Sequence, residues 1–539
     1  MSSFLNHLSP LRPFKGPLAN LKDRALCQTP NKSANRGRCS SLVQHPGMTT
    51  DWSDIGPVTI DVLPDDVLID IFDFYLVQLE DPLSRSLDWL ERTKAWHKLV
   101  HVCRRWRDVV FQSPRRLDLH ILCTARTPMT VLTEMLDTWP VLLLAIRVCP
   151  RCHTKNTIAV LTNHRDRICR ISVVFDFTSV WPSGILTILH LIMMQQFPAL
   201  TLLRIIYHSS NDLTPIPDSF LDGSAPHLRY LHLNAIPYPG LPKLLLSATN
   251  LVALHLSDIP QYGYISPAMM ATCLLTLIRL ERLTLGLQFF QPPGFHFDRE
   301  GRHPPTSKHA IFPTLARFEF KGESEYLEDF LARIDAAPQL DCLEIGFFNQ
   351  PSGIFYTSHL SQFINSVPRF QTLIEARVIA FGSQIWVTVP SSTPTLGHKV
   401  LGMEIIILNS RSQSSSLQQL CTSSLPLFPI LEHLYLRPPI FWQNEKWLDV
   451  LHPFTAVKNL YISRKSALRI VPALQWLVRD GVTKVLPALQ NLFLEELRPT
   501  EPVQLAINQF VHARRLSGNP IAVSKWVVGE NLWWDINEE

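Results

Sequence analysis

The chain has 539 residues, 46% of them hydrophobic and 18% charged, with a formal net charge of +4. That balance excludes a disordered protein, and so small a charge on so long a chain leaves no electrostatic footprint for nucleic acid. The ten cysteines follow no regular disulfide framework, which points to a reducing compartment, cytoplasm or nucleus.

Residues 1–50 carry Arg12, Lys15, Lys22, Arg24, Lys32, Arg36 and Arg38 against a single acid, Asp23. Transit peptides share that composition. The simpler reading is a disordered leader, or an over-extended start with Met48 as the initiator. From Leu63 the pattern changes. Pro64 suits a first helical turn, where a missing N–H costs nothing, and Asp65 and Asp66 suit the positive end of the helix dipole. Val67, Leu68, Ile71, Phe72 and Tyr75 then recur at helical spacing and are expected to form one apolar stripe. A second helix repeats the logic with Leu99, Val102, Cys103, Trp106, Val109 and Val110 on one face. Arg104, Arg105 and Arg107 fall elsewhere, and this run reads as a solvated face rather than a nucleic-acid patch. Two short helices with so much apolar surface need a core or a partner.

The pattern Leu-Pro-x-x-x-Leu-x-x-Ile-Phe followed by Val-Cys-x-x-Trp-x-x-x-Val resembles the F-box, over residues 58–115. It is most similar to F-box proteins of mushroom-forming fungi, in which a segment like Arg115-Arg116-Leu117-Asp118-Leu119 and a downstream leucine-rich region are also typical. The stretch from Val77 to Ala95 separates the two halves by more than a compact F-box carries. This insert either loops out or weakens partner binding. The resemblance implies docking on a Skp-type adaptor, and through it a cullin, by Leu63, Pro64, Val67, Leu68, Ile71, Phe72, Leu99, Val102, Cys103, Trp106 and Val109. Some of these form the internal core instead.

Next along the chain, Cys149-Pro-Arg-Cys152-His153 has the look of half a zinc site or a haem-attachment string. The second ligand pair is missing, so buried cysteines beside a strand are the expectation and no metal is assigned. The longest apolar run, Gly184 to Met194, falls short of the ~20 residues of a membrane span.

The spacing apolar-x-x-apolar-x-apolar returns about every 23 to 35 residues, often after a Pro. Clear copies are Leu200/Leu203/Ile205, Leu228/Leu231/Leu233, Leu251/Leu254/Leu256, Leu280/Leu283/Leu285, Leu315/Phe318/Phe320, Leu340/Leu343/Ile345, Leu431/Leu434/Leu436, Val457/Leu460/Ile462 and Leu489/Leu492/Leu494. Fainter ones begin at Leu143, Ile168, Phe370 and Val400. Helical patterns lie between many of them, at Tyr326 to Ile334, Ser358 to Ile364, Trp447 to Leu451 and Leu468 to Val478. One strand and one helix per copy make a leucine-rich repeat, whose neighbours stack to close each hydrophobic face. The expected fold is therefore α/β: a small helical F-box, then an irregular leucine-rich-repeat horseshoe over residues 116–539. An ordinary α/β sheet with buried strands is the competing reading. Val503 to Arg515 reads as a last helix and Ile521 to Val528 as a closing strand.

Within each Leu-x-Leu the middle residue points away from the core, to the concave face. Taken in order, that position holds Arg147, Ser172, Arg204, His232, His255, Thr284, Glu319, Glu344, Ile374, Glu404, Tyr435, Tyr461 and Phe493. The column is basic or His first, acidic in the middle, aromatic last. His232, His255, Glu319, Glu344, Tyr435, Tyr461 and Phe493 are the candidate substrate contacts, the three aromatics as an interface stripe. Alternatively, those aromatics pack on neighbouring loops or the last helix. No phosphate loop, nucleophile elbow or zinc-protease motif occurs, so the sequence offers neither an enzyme nor a cofactor site. By resemblance the chain is a substrate adaptor of an SCF-type ubiquitin ligase. The alternative is a leucine-rich-repeat scaffold without a ubiquitin role.

Overall fold

The computed structural model describes residues 62–77, 96, 98–113, 117, 119–124, 127–148, 154–174, 183–207, 220–238, 240–260, 263–287, 310–348, 358–372, 375–381, 384–390, 402–408, 430–437, 451–462, 485–495 and 501–526. The leader, residues 78–95 of the insert, Arg115, Arg116 and Asp118, Cys149 to His153, Ile374, and the helical patterns at Trp447 and at Leu468 to Val478 lie outside these residues, Leu451 excepted.

The chain forms two compact units. Among the described residues, the first takes in those up to Leu119 together with Pro128–Val141, and the second His120–Thr127 and everything from Leu142 onward. In the first unit, helices α1 (Asp65–Val77), α2 (Arg104–Gln112) and α3 (Met129–Thr138) surround a small core. The Pro64 carbonyl accepts the first helical bond of α1, from Leu68 N–H at 3.1 Å. Trp96 lies edge-on to Phe111 and to Trp139, both at 6.0 Å, and Phe111 stacks on Trp139 at 5.6 Å. Edge and offset ring pairs suit the aromatic quadrupole, so three rings hold the end of α3 against α2.

The second unit rests on one long sheet. Its strands begin with β1 (His120–Thr124), β2 (Leu143–Val148), β3 (Ile168–Val174), β4 (Leu202–Ile206), β5 (Tyr230–Asn234), β6 (Ala253–Ile259) and β7 (Arg282–Leu287). There follow β8 (Ala310–Ile311), β9 (Arg317–Gly322), β10 (Ile334–Ala336), β11 (Cys342–Phe348), β12 (Glu375–Phe381), β13 (Gln384–Pro390) and β14 (Gly402–Leu408). The last are β15 (His433–Arg437), β16 (Asn459–Ile462), β17 (Asn491–Glu495) and β18 (Ala522–Trp526). β8 and β10 pair separately. From β1 to β11 the other strands are parallel and follow chain order. Order then inverts: β14 pairs with β11, β13 runs antiparallel between β14 and β12, and β12 leads into the parallel run β15 to β18. Helices α4 (Thr154–Asn163), α5 (Ser183–Met194), α6 (Leu241–Ser247), α7 (Pro267–Leu274), α8 (Ser324–Leu331) and α9 (Ser358–Ser366) connect the early strands, and α10 (Glu501–Leu516) lies between β17 and β18. Neighbouring helices pack in pairs, α4 on α5, α6 on α7, α7 on α8 and α8 on α9. No helix among the described residues is long and apolar enough to cross a membrane.

The apolar spacing explains this core. Leu203, Ile205, Leu231, Leu233, Leu254, Leu256, Leu283, Leu285, Phe318 and Phe320 are all buried. Phe318 meets Phe330 of α8 and Phe363 of α9, while Phe320 stacks on Tyr326 at 5.8 Å. The leucine that precedes each strand is buried too: Leu200, Leu228, Leu251, Leu280, Leu315 and Leu340. Several of these leucines close a tight turn. Leu200 N–H donates to Phe197, Leu228 to Ala225, and Leu340 to Ala337. Pro198, Pro226 and Pro338 then occupy the second turn position, where the fixed proline φ fits; this is the origin of the proline before so many copies.

One further contact recurs at each step. The Thr201 carbonyl accepts from both Arg229 and Tyr230 N–H groups, Arg229 from Val252 and Ala253, and Val252 from Glu281 and Arg282. Glu281, Ala316, Glu432 and Lys458 repeat it for the strands that follow them. Side chains add a helix-to-helix tie: the buried Glu328 of α8 accepts from His359 N–H (2.8 Å), Leu360 N–H (2.9 Å) and Ser358 Oγ (2.9 Å) at the start of α9. A carboxylate there satisfies orphan donors and meets the positive end of the helix dipole. Glu328→Ala should lower unfolding stability by roughly 1.5–3 kcal/mol, the range for hydrogen bonds to a charged group, read as a lower urea midpoint; an unchanged midpoint would show that water replaces the cap.

Candidate functional site

Two constellations carry the residues singled out above, and each is described within its own unit. In the first, the two sequence motifs meet. Arg105 donates to Asp65 Oδ1 from Nε (3.1 Å) and Nη2 (2.7 Å), and also from Nη2 to the Leu63 carbonyl. Phe72 packs on Trp106 with ring centroids 4.7 Å apart. Cys103 Sγ accepts from Trp106 N–H at 3.4 Å as the N-cap of α2, and Arg107 donates to the Val100 carbonyl at 3.0 Å. Arg105 thus ties α2 to the start of α1, a correction to its reading as a solvated face, whereas Arg107 is exposed as expected and bonds the segment just before its own helix. Arg104 fits that reading: it is exposed and approaches Asp108, one turn on, at 4.0 Å.

Burial divides the eleven residues. Leu68, Phe72, Leu99 and Val109 lie in the core, Leu63, Cys103 and Trp106 are half-buried, and Pro64, Val67, Ile71 and Val102 are exposed. The single stripe expected on α1 is in fact two. Leu68, Ile69, Phe72 and Leu76 face inward, and Val67, Ile71, Phe74 and Tyr75 face outward, Phe74 being 65% exposed. Phe74 is missing from the candidates above; its signal was the i, i+4, i+7 spacing from Val67 through Ile71.

The second constellation is the column on the sheet. Registers align Arg147 with Ser172, Ser172 with Arg204, Arg204 with His232, and His232 with His255. They continue through Thr284, Glu319 and Glu344 to Glu404. Ile374 lies outside the described residues; β12 begins at Glu375, and the registered positions after Glu404 are Thr388 and Arg377. The antiparallel β13 is absent from the sequence expectation and adds Thr388 to the column. Arg377 then aligns with Tyr435, Tyr435 with Tyr461, and Tyr461 with Phe493.

Chemically the column has three zones. The middle one is less acidic than its sequence. Arg317, two residues before Glu319 on the same face, pairs with Glu319 and reaches Glu344 at 3.3 Å, while Thr284 Oγ1 donates to Glu319 at 3.4 Å. Burial alone would lower the Arg317 pKa; Glu319 and then Glu344 outweigh it and hold the guanidinium above its ordinary value. At the aromatic end, Tyr435 and Tyr461 stack at 4.1 Å, and Tyr461 and Phe493 at 4.6 Å, each pair within 8° of parallel. Beside them Asn491 donates to Asn459 at 2.7 Å, and Asn459 meets His433 Nδ1 at 3.3 Å. In the basic zone His232 and His255 lie 4.0 Å apart. Burial, then His255 and Arg204, push the His232 pKa well below its ordinary value.

The chain matches no protein-family model and no curated protein. Its chemistry must therefore be read from these residues. Among the described residues, no three His, Cys, Asp or Glu side chains come together as a metal site would require. The first constellation offers exposed aliphatic and aromatic side chains, and the second guanidinium, imidazole, carboxylate and aromatic groups in register.

Tyr461 contacts a ring on each side, and each such pair contributes about 0.5–1.5 kcal/mol. Tyr461→Ala should therefore cost roughly 1–3 kcal/mol of stability in a denaturant titration, more than Tyr435→Ala or Phe493→Ala. His232 has a lowered native pKa, so the unfolded chain binds more protons between that value and the ordinary ~6.5. Its contribution is full above pH 6.5 and is lost as pH falls below it, with a slope of at most 1.36 kcal/mol per pH unit. His232→Gln should flatten the loss of stability between pH 7 and pH 5; a slope equal to wild type would contradict this.

Proposed function

We propose that this chain is a substrate-recognition adaptor of an SCF-type ubiquitin ligase. The F-box resemblance at residues 58–115 supplies the class. The observation that carries the reading is the exposed apolar set Val67, Ile71, Phe74 and Val102 on a helix pair already closed by Phe72–Trp106 and Arg105–Asp65. Such a pair satisfies its own core and still presents apolar surface, which suits a protein interface. The Skp-type adaptor, and through it a cullin, is the partner this surface would meet. The parallel sheet and its recurring turn support a leucine-rich-repeat solenoid whose column of registered side chains would hold the protein substrate. Tyr435, Tyr461 and Phe493 form the most apolar part of that column. Catalysis would lie in the other subunits of the ligase, while this chain raises the effective concentration of substrate lysines near them.

The test is co-purification of the full chain with a Skp-type adaptor, wild type beside an Ile71→Asp, Phe74→Asp variant. Surface changes of this kind alter stability by about 0.5 kcal/mol or less, so the variant should keep its circular dichroism and melting temperature while losing capture by at least tenfold. Capture equal to wild type would overturn the assignment of this surface. No capture by either protein would overturn the ubiquitin role and leave a repeat scaffold without one.

A further inference from the structure

Among the described residues, the basic zone of the column shows no counter-charge. Arg204 sits on β4 with 7% of its surface exposed, and its Nε is fully enclosed with no hydrogen-bond partner. Among the described residues no carboxylate forms an ion pair with Arg204 or with Arg147. Their neighbours on the same face of β2 to β6 do not supply one. Registers and strand alternation place there Ala145, Arg170, Ser172, Val174, Leu202, Ile206, Tyr230, His232, Asn234, Ala253, His255 and Ser257. Asp258, at the end of β6, is held by Asn234 at 3.1 Å. The first carboxylate of the column itself is Glu319, which is paired to Arg317.

An enclosed guanidinium without a counter-charge is costly. Here four further positive or titratable groups share its face of the sheet, Arg147, Arg170, His232 and His255. Burial and then Arg147 lower the Arg204 pKa, and the proximity of Arg204 in turn helps lower that of His232. The contrast within one sheet is informative. Arg317, in the same kind of position, has two carboxylates; Arg204 has none among the described residues. A planar fork of donors with an unused Nε fits one complementary group above others, an oxyanion bound through two oxygens.

We propose that Arg204, with His232 on the next strand and Arg147 two strands away in the column, is a recognition site for an oxyanion carried by a protein partner, a side-chain carboxylate or a phosphate ester. That the anion arrives on a captured protein rests on the adaptor reading; that the site takes an oxyanion does not.

The test uses the full chain without any adaptor, so that its failure is distinct from failure of ubiquitin-ligase assembly. Three probes are titrated at constant ionic strength: inorganic phosphate, a fluorescent hexaglutamate peptide, and a serine peptide with and without one phosphate. The proteins are wild type, Arg204→Met, Arg147→Met and, as a control for charge alone, Arg229→Met in the exposed turn before β5. At least one anionic peptide should bind wild type and the control equally, and Arg204→Met at least tenfold more weakly, as expected for loss of a charge-assisted hydrogen-bond pair. Which peptide binds identifies the carboxylate or the phosphate as source. Should Arg204→Met fail to fold, the half-buried Arg147→Met carries the same comparison with a smaller expected loss. Equal weakening by Arg229→Met, or binding of neither peptide, would overturn the proposal. So would an Arg204-dependent response to inorganic phosphate alone, or to a single-stranded oligonucleotide in place of both peptides.

Discussion

Everything on the sheet depends on one carbonyl per repeat that accepts two N–H groups from the next. Thr201, Arg229, Val252, Glu281 and Ala316 supply it in succession, and Glu432 and Lys458 supply it again near the C-terminus. A carbonyl oxygen has two lone pairs, so the contact satisfies two donors at the point where each strand enters the sheet. It also fixes register. Because side chains alternate with period two, a slip of one residue would turn every leucine outward and every column residue inward. The buried leucine just before the strand and the tight turn beneath it act in the same sense. The column of registered side chains is therefore a by-product of backbone chemistry, which leaves its residues free to vary.

That freedom is visible in how the column handles charge and area. Glu319, Arg317 and Glu344 form a nearly balanced set, whereas Arg147, Arg204 and His232 gather on strands without an acid among the registered neighbours. Tyr435, Tyr461 and Phe493 meet face to face because parallel strands set successive rings at one stacking distance from each other. One scaffold thus carries three surfaces of different chemistry. The helical pair follows a different rule. Its core closes through contacts between residues about forty positions apart, Asp65 with Arg105 and Phe72 with Trp106.

The sequence made the repeating parts of this fold readable, and for a physical reason. Leucine at fixed offsets reports burial on one face, and proline reports the turn before it, so β4 to β7, β9, β11 and β15 to β17 stand where the spacing puts them. Periodicity fails where its assumption fails. On α1 apolar residues occupy nearly the whole circumference, and no spacing can say that Leu68 is buried while Val67 and Phe74 are not. Strand β13, Gln384 to Pro390, pairs antiparallel and carries no leucine pattern. The registered column passes through Thr388 and Arg377 there, positions that the spacing does not pick out. Charge balance was equally hidden. The composition of the column announces acid at Glu319 and Glu344, but Arg317 lies just outside the position being read.

The inverted order β11–β14–β13–β12–β15 has a consequence for how the chain assembles. In a stacked array each unit can dock on the one before it, so structure spreads along the chain from any starting point. Here that spreading meets a barrier. The open edge of β11 is completed by β14, while β12, which precedes β14 in the chain, completes the edge of β15. Neither side can grow across the joint one strand at a time. The segment from Glu375 to Leu408 must close as a three-stranded piece, at the loop-closure cost of a non-local pairing. The sheet is continuous in space, but its connectivity is not: the runs on either side are joined only through this three-stranded piece.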